Sequence, residues 1–182
     1  MLRHFGIPYV VAPMEAEAQC AELIQRGLVD GIVTDDSDVL LFGGTRVYRH
    51  MFTAHKDVEC YVAADIEGQL HLSRDMLISL AYLLGSDYSE GLRGIGGVIA
   101  MQILAEFPGP TCVRDFANWW RRAQFGQDTA EERKSAFKKS LVRAALLLSP
   151  ADPMQKKRQK DMVLEESWPD PRVVRRTRLR LG

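Results

Sequence analysis

Thr34-Asp35-Asp36-Ser37-Asp38 is the stretch that decides the fold, together with Met14-Glu15-Ala16-Glu17 earlier in the chain. Each cluster directly follows a short apolar run that is typical of a buried strand, at 9–12 before the glutamates and at 31–33 before the aspartates. In a parallel α/β sheet, groups that follow neighbouring strands meet at one edge. The sequence therefore predicts an α/β fold with a crevice lined by carboxylates.

Spacing within the clusters limits how their side chains can act. Glu15 and Glu17 are two residues apart, so on a helix they can share a site only at its first turn. Asp36 and Asp38 would point the same way in an extended segment or a tight loop, whereas Asp35 would face elsewhere. Taken alone, each cluster is also compatible with acids at a helix N-terminus or with ordinary helix capping.

Four carboxylates in one crevice need compensating cations, because their mutual repulsion would otherwise keep some of them protonated. Oxygen ligands favour a hard ion such as Mg²⁺ or Mn²⁺, and paired ions of this kind typically drive in-line cleavage of phosphodiester bonds. The pattern therefore predicts a metal-dependent nuclease with Glu15, Glu17, Asp36 and Asp38 as metal ligands.

Composition narrows the class of protein. The 182 residues fit one domain, and Cys20, Cys60 and Cys112 lie far apart without zinc-ligand spacing, which favours free thiols in a reducing compartment. The sequence has neither an apolar run long enough for a membrane span nor a signal peptide, so we expect a soluble intracellular protein. The net charge of zero combines an acidic part, 1–113, with a basic part, 114–182, which suits a polyanionic substrate or a solvated basic tail.

Apolar periodicity predicts helices alternating with short strands. The predicted helices cover 14–26, 74–84, the segment up to Phe107, 112–124 and 130–148, and further strands are predicted at 46–49 and 58–62. His50 and His55 are interpreted as exposed loop residues, and Trp119-Trp120 as core rather than a stacking platform for bases. From Ser149 onward we expect disorder, because prolines interrupt charged sequence that has little periodicity.

Two features predict contacts with a nucleic acid backbone. A glycine-rich turn at 91–97, GLRGIGG, opens the helix that ends at Phe107, and it lets backbone amides approach a phosphate because no Cβ intervenes. The spacing differs from G-x-G-x-x-G, which disfavours a dinucleotide site. The predicted helix over 130–148 carries a basic face. The candidate DNA contacts are Arg93, Gly94, Gly96, Gly97, Lys134, Lys138 and Lys139.

Four motifs in order resemble the internal nuclease region of the flap endonuclease/XPG superfamily, in the version of the XPG-type nucleases of nucleotide excision repair. They are FGIPY at 5–9, APMEAEAQCA at 12–21, TDDSD at 34–38, and LGSDY with GLRGIG within 84–96. The resemblance implies a partial PIN-like 5′ nuclease fold, in which a parallel sheet flanked by helices precedes a helix–two-turn–helix element and C-terminal helices. It divides the chain into an α/β nuclease core over 1–88, a helical DNA-binding part over 89–148 and a disordered basic tail over 149–182.

The resemblance also implies an activity, namely incision of DNA at single-strand/double-strand junctions with two divalent ions, Mg²⁺ or alternatively Mn²⁺. The residues that match the catalytic metal ligands of the family are Glu15, Glu17, Asp36, Asp38 and Asp87. The Gly91–Gly97 turn matches the element that holds the duplex, where backbone carbonyls bind K⁺. DNA repair proteins are expected partners, with no membrane partner and no sliding-clamp peptide. The cluster at 156–160, KKRQK, is similar to a nuclear-localisation signal and predicts the nucleus.

Three departures from the family pattern lead us to expect a fragment with an incomplete metal cage. The sequence begins just before Phe5, without the region that adds further metal aspartates, and Gly97 stands where a proline is frequent. After Val174 the family pattern is replaced by an arginine-rich run. A non-catalytic DNA-binding module is therefore an alternative function. A different Mg²⁺ phosphotransfer enzyme with an Asp-x-Asp motif is a second, which the glutamates and the glycine turn disfavour.

Overall fold

The structure, a computed structural model, divides into two compact units, one over Met1–Arg74 and the other from Asp75 onward. It describes residues 1–52, 57–92, 94–147, Leu164, Trp168 and Pro169, without the side chains of 143–147. The boundary predicted at residue 88 was placed by expected function and not by compactness, and it stays a prediction.

The first unit combines helices with a three-stranded sheet. After a 3₁₀ helix at Leu2–Phe5, its elements are α1 (Ala16–Gln25), β1 (Ile32–Val33), α2 (Asp38–Leu41), β2 (Arg46–Arg49), β3 (Glu59–Val62) and α3 (Ala63–Leu70). The described sheet has the order β1-β2-β3; β1 pairs with β2 in parallel, and β2 pairs with β3 antiparallel. The predicted α/β class is confirmed, although the sheet is mixed rather than purely parallel. The sequence did not predict α3.

A small apolar core joins the elements that flank both acidic clusters. Its buried members are Ile24, Ile32, Val39 and Val47, with Cys20 and Leu40 packed against them. Each aliphatic side chain buried in this way stabilises the fold by about 1.5–3 kcal/mol. The core thus fixes α1 and α2 against the parallel pair of strands.

The predicted strand over 9–12 is wrong. This segment forms no strand, and the side chains of Val10 and Val11 are 67% and 80% exposed. An apolar run becomes a strand only when a neighbouring strand completes its backbone hydrogen bonds and covers one face. Within the described residues, β1 pairs with β2 alone, so the run has no strand partner there.

The exposed apolar side chains before α1 predict that the chain on its own binds a hydrophobic dye, because exposed apolar patches of this kind bind partners or aggregate. They are Phe5, Ile7, Tyr9, Val10, Val11 and Met14. Replacing Val10 and Val11 with Thr should lower dye fluorescence without lowering the melting temperature. Val98→Thr is the matched control, since Val98 is 76% exposed in another part of the chain. No dye binding by the unmutated chain would contradict this prediction.

The second unit is helical. Its helices are α4 (Arg74–Leu84, which begins at the unit boundary), α5 (Gly97–Glu106), α6 (Cys112–Gln124), a 3₁₀ helix at Glu132–Lys134 and α7 (Ala136–Leu147). The bounds of α4 and α6 are as predicted. The predicted single helix over 130–148 is instead interrupted at Ser135, whose extended backbone has ψ 124° and whose hydroxyl accepts a hydrogen bond from the Lys138 amide at 3.3 Å. Ser135 therefore acts as a new N-cap.

Aromatic side chains form the centre of the second unit. Trp119 and Trp120 are each 2% exposed, and their ring centroids lie 5.7 Å apart. Phe116 lies 6.0 Å from Trp119 and 6.2 Å from Trp120. The interpretation of the tandem tryptophans as core is confirmed.

The predicted tail from Ser149 onward lies outside the described residues, except at three positions. Leu164 is buried, and the carbonyl oxygen of Trp168 accepts a hydrogen bond from Arg121 Nη2 at 2.6 Å. The basic cluster at 156–160 is among the residues that are not described.

Candidate metal and DNA site

Glu15 and Glu17 lie at the start of α1. Glu15 is the N-cap, with extended backbone at φ −81° and ψ 131°, and Glu17 lies in the first turn of the helix. The positive end of the helix dipole stabilises negative charge at this position. Glu15 is exposed and Glu17 is half-buried. Both residues thus lie at the first turn of the helix, the one place where their two-residue spacing allows them to share a site.

The loop from Thr34 to Asp38 connects the end of β1 to the start of α2. The backbone amide of Asp36 donates to Thr34 Oγ1 at 3.1 Å, and the amide of Asp38 donates to Asp36 Oδ1 at 2.9 Å. One oxygen of Asp36 therefore stabilises the start of α2, as the capping interpretation predicts. Capping does not exclude metal binding, because an ionised carboxylate has two oxygens and about four acceptor positions.

The helices that begin at the two acidic clusters share one core. Cys20, one turn after Glu17, packs on the cluster that contains Val39, which directly follows Asp38. Burial raises the pKa of the Cys20 thiol, and the negative charge of Glu17 raises it further. The thiol therefore stays neutral at physiological pH and acts as apolar packing behind the acidic residues.

Two side chains hold the other end of α2. Gln25 Nε2 donates to the carbonyl oxygens of Phe42 and Gly43 at 3.3 and 2.9 Å. Arg74 Nε donates to the carbonyl oxygen of Leu41 at 2.7 Å. The terminal carbonyls of a helix have no partner inside it, so these donors stabilise a helix of only four residues.

The predicted ligands do not surround a single metal position in the described part of the chain. Nowhere in the described part of the chain do three His, Cys, Asp or Glu side chains lie close enough to hold a metal. The donor set itself fits Mg²⁺, because all predicted ligands are carboxylates. The first unit thus places two pairs of carboxylates at the starts of two helices, and the ligand assignment stays a prediction.

Asp87 lies in the second unit, in a tight turn after α4. The turn is closed by two backbone hydrogen bonds between Ser86 and Ser89, at 2.7 and 3.1 Å. The side chain of Asp87 is exposed. Its role as a further metal ligand stays a prediction that depends on the family motif.

The glycine turn leads directly into α5. Gly96 is the N-cap of this helix, and Gly94 has the left-handed φ of 83°. Gly94, Gly96 and Gly97 are all exposed, so their backbone is accessible to an anion. Arg93 lies outside the described residues. Contact of this turn with DNA stays a prediction.

The three candidate lysines differ in their surroundings. Lys134 and Lys139 are exposed. Lys138, in contrast, is 14% exposed; its Nζ lies 3.2 Å from Glu106 Oε1 and 4.6 Å from the centre of the Phe107 ring. The ammonium group of Lys138 is therefore engaged within the protein, and Lys134 and Lys139 are better placed to meet a phosphate.

Comparison with known proteins shows the family of this chain. Residues 6–87 match the XPG I-region family. The DNA repair protein rad13 of Schizosaccharomyces pombe is 51% identical over 141 residues, covering 78% of this chain and 13% of rad13. The DNA repair protein RAD2 of Saccharomyces cerevisiae is 48% identical over 151 residues, covering 81% of this chain and 14% of RAD2. The chain belongs to the XPG-type flap endonuclease family.

Solved structures of DNA-processing enzymes share the fold. The catalytic core of Rad2 in complex with DNA substrate matches with a TM-score of 0.76 and 42% identity, over 97% of this chain and 51% of that core. The junction-resolving enzyme GEN1 in complex with product DNA and Mg²⁺ matches with a TM-score of 0.56 and 25% identity, over 97% of this chain and 40% of GEN1. The chain thus spans about half of the solved Rad2 core. Within its described part, no helix is both long and apolar enough to cross a membrane.

Sequence reasoning missed the contacts of His50 in this XPG-type chain. The prediction of an exposed loop residue is wrong, because the side chain is 29% exposed and lies between two acids. The His50 amide donates to Asp35 Oδ1 at 2.7 Å, and His50 Nε2 lies 3.6 Å from Glu59 Oε2. The only signal in the sequence for these contacts was the spacing that turns Asp35 away from Asp36 and Asp38. His55 lies outside the described residues.

Proposed function

We propose that the protein containing this chain is a nuclear, Mg²⁺-dependent endonuclease that cuts DNA at single-strand/double-strand junctions in nucleotide excision repair. The observation that carries the proposal is that two helices with acidic residues at their starts, α1 after Glu15 and α2 after Asp36, pack on one shared core. Its relatives support it, since rad13 and RAD2 are DNA repair proteins and the Rad2 core was solved with a DNA substrate.

In this proposal the acidic residues hold the divalent ions, with Asp87 as a further ligand and Mn²⁺ as a substitute. Bound ions of this kind supply an attacking hydroxide and stabilise charge on the leaving oxygen. Glu15 and Glu17 lie at the start of α1, where the positive end of the helix dipole favours negative charge. The hydrogen bond from the Asp38 amide fixes one oxygen of Asp36, so that this carboxylate cannot rotate freely.

The second unit holds the DNA backbone in this proposal. The exposed backbone of Gly94, Gly96 and Gly97 receives a phosphate at the start of α5 and, through its carbonyl groups, a K⁺ ion. The exposed Lys134 and Lys139 add positive charge in the same unit. DNA repair proteins are the proposed protein partners.

A chimera tests the activity directly. The segment of the Rad2 catalytic core that matches this chain would be replaced by the chain, and Mg²⁺-dependent incision of a labelled bubble substrate would be measured. We expect incision at the junction. Binding of the bubble without incision would instead favour a non-catalytic DNA-binding module, the alternative supported by the lack of a three-residue metal cluster among the described residues.

Salt dependence tests the lysine contacts. The measurement is the slope of the logarithm of the DNA-binding constant against the logarithm of the salt concentration. Each of Lys134→Ala and Lys139→Ala should flatten this slope by about one unit, because a protein with one phosphate contact fewer releases fewer counterions when it binds. Lys138→Ala should leave the slope unchanged and lower the melting temperature, since Lys138 pairs with Glu106 inside the protein. Equal slopes for the unmutated chain and the Lys134 and Lys139 variants would remove both residues from the interface.

A further inference from the structure

Asp35 directly precedes the predicted metal ligand Asp36 in the sequence, but its contacts point to a different role. Its Oδ1 accepts a hydrogen bond from the His50 amide at 2.7 Å and lies 3.6 Å from His50 Nδ1. Its main-chain carbonyl oxygen accepts a hydrogen bond from Arg49 Nη2 at 2.8 Å. Two consecutive residues at the end of β2 therefore hold both the side chain and the backbone of Asp35.

From this geometry we infer that Asp35, Arg49 and His50 form a latch that positions the Asp36–Asp38 loop, and that Asp35 is a positioning residue rather than a metal ligand. The inference rests on the proposed function, because positioning matters to catalysis only if Asp36 and Asp38 act in the reaction. It assigns a role to the one aspartate of the TDDSD motif that the family match leaves without one.

The latch is anchored on β3 as well as on β2. His50 Nε2 lies 3.6 Å from Glu59 Oε2, which also accepts a hydrogen bond from the Tyr61 hydroxyl at 2.8 Å. The Arg49 guanidinium lies 6.0 Å from the centre of the Tyr61 ring, within reach of a cation–π interaction. The antiparallel pair of strands thus supports the side chains that hold Asp35.

The position of the latch in the chain explains why it controls the loop. Parallel pairing with β2 extends to the Thr34 amide, which donates to the Tyr48 carbonyl oxygen at 3.1 Å. After Thr34 the loop leaves the sheet, and the contacts of Asp35 are its next attachment to β2. The direction in which Asp36 and Asp38 project therefore depends on Asp35, and a displacement of about 1 Å at a reacting group can lower a rate about 10²-fold.

A ligand and a positioning residue respond differently to Asn. A metal ligand needs its negative charge, whereas Asp35 needs only an oxygen that accepts from the His50 amide, and Asn keeps that oxygen. Asp35→Asn should therefore retain most incision, and Asp35→Ala should lower kcat about tenfold or more, because the loop loses its attachment. Arg49→Ala should act like Asp35→Ala. Arg26→Ala is the matched control, since Arg26 pairs with Glu22 on the surface of α1.

The experiment would use the Rad2 chimera and three measurements on each variant: kcat for bubble incision, the dissociation constant for the bubble, and Mn²⁺ affinity by electron paramagnetic resonance without turnover. We expect the Ala variants at Asp35 and Arg49 to lower kcat and weaken Mn²⁺ binding while bubble binding stays within about twofold. Asp35→Asn as inactive as Asp35→Ala would overturn the inference, because it would show that the charge is needed. Arg49→Ala indistinguishable from Arg26→Ala would also overturn it.

A second measurement keeps the latch testable if the chimera does not cut or if Arg49→Ala fails to fold. In the 182-residue chain, the His50 amide should exchange its hydrogen faster after Asp35→Ala, because Asp35 Oδ1 is its acceptor. The Asp35 side chain is 58% exposed, so this substitution should leave the fold intact. Unchanged exchange at His50 would overturn the latch itself, whereas an inactive unmutated chimera with a normal latch would count against the proposed nuclease alone.

Discussion

Asp36→Asn is expected to abolish Mg²⁺-dependent incision of a bubble substrate by the Rad2 chimera while leaving its binding to the bubble nearly intact. Asn keeps the size of the side chain and an oxygen that accepts from the Asp38 amide, so the start of α2 should persist. The substitution removes one negative charge from the predicted metal site, which weakens the hold on the ions. Binding of the phosphate backbone should become equal or tighter, because less negative charge repels it.

The matched control is Asp30→Asn, which removes one negative charge from an exposed side chain of the same unit outside both acidic clusters. It should cut at the rate of the unmutated chimera. Kinetics and equilibrium binding of the same labelled bubble separate the two effects. Robust cutting by the Asp36→Asn protein would refute the assignment of Asp36 as a metal ligand, and a parallel loss of binding would point to misfolding instead.

Elements specified by nearby residues were predicted with the correct bounds. The helix Arg74–Leu84 carries its own apolar stripe and ends before Gly85, and the strand Arg46–Arg49 follows a glycine pair. The strand predicted over 9–12 failed for the opposite reason, since its formation depends on a partner strand that local sequence cannot supply. The interruption at Ser135 was missed because a serine within a helical pattern caps a helix only when its backbone is extended.

The candidate site was predictable where the spacing of residues along the chain fixes the direction of their side chains. Spacing alone predicted that Asp35 faces away from Asp36 and Asp38, and in the structure Asp35 Oδ1 accepts a hydrogen bond from the His50 amide. His50 itself could not be predicted, because its contacts require the left-handed φ of 62° at that residue and the approach of Glu59 across β2 and β3. Lys138 likewise matched a basic helical face, but tertiary packing placed it against Glu106.

Gly91→Ala is expected to destabilise the second unit strongly. Gly91 has a φ of 69°, and a Cβ there would lie 2.4 Å from the Gly85 nitrogen and 2.5 Å from the Leu84 carbonyl carbon. Backbone atoms cannot move aside as a flexible side chain would. The left-handed conformation costs an L-residue about 1–2 kcal/mol, and overpacking costs about 1–3 kcal/mol more. The free energy of unfolding should therefore fall by about 2–5 kcal/mol, a large share of the usual 5–15 kcal/mol.

The same substitution should also displace Asp87, because Gly91 and Gly85 face each other across the turn that carries it. Gly85 has a φ of 102°, and a Cβ there would lie 3.1 Å from the Glu90 carbonyl oxygen. Forcing the two glycines apart would open the turn and displace Asp87. The control is Gly97→Ala, since no atom lies within 4 Å of a Cβ at Gly97 and alanine is the better helix former by about 1 kcal/mol. Thermal melting of both variants is the measurement: Gly91→Ala should melt well below the unmutated chain and Gly97→Ala at or above it, and equal melting temperatures would show that the close backbone contact at Gly91 is not needed.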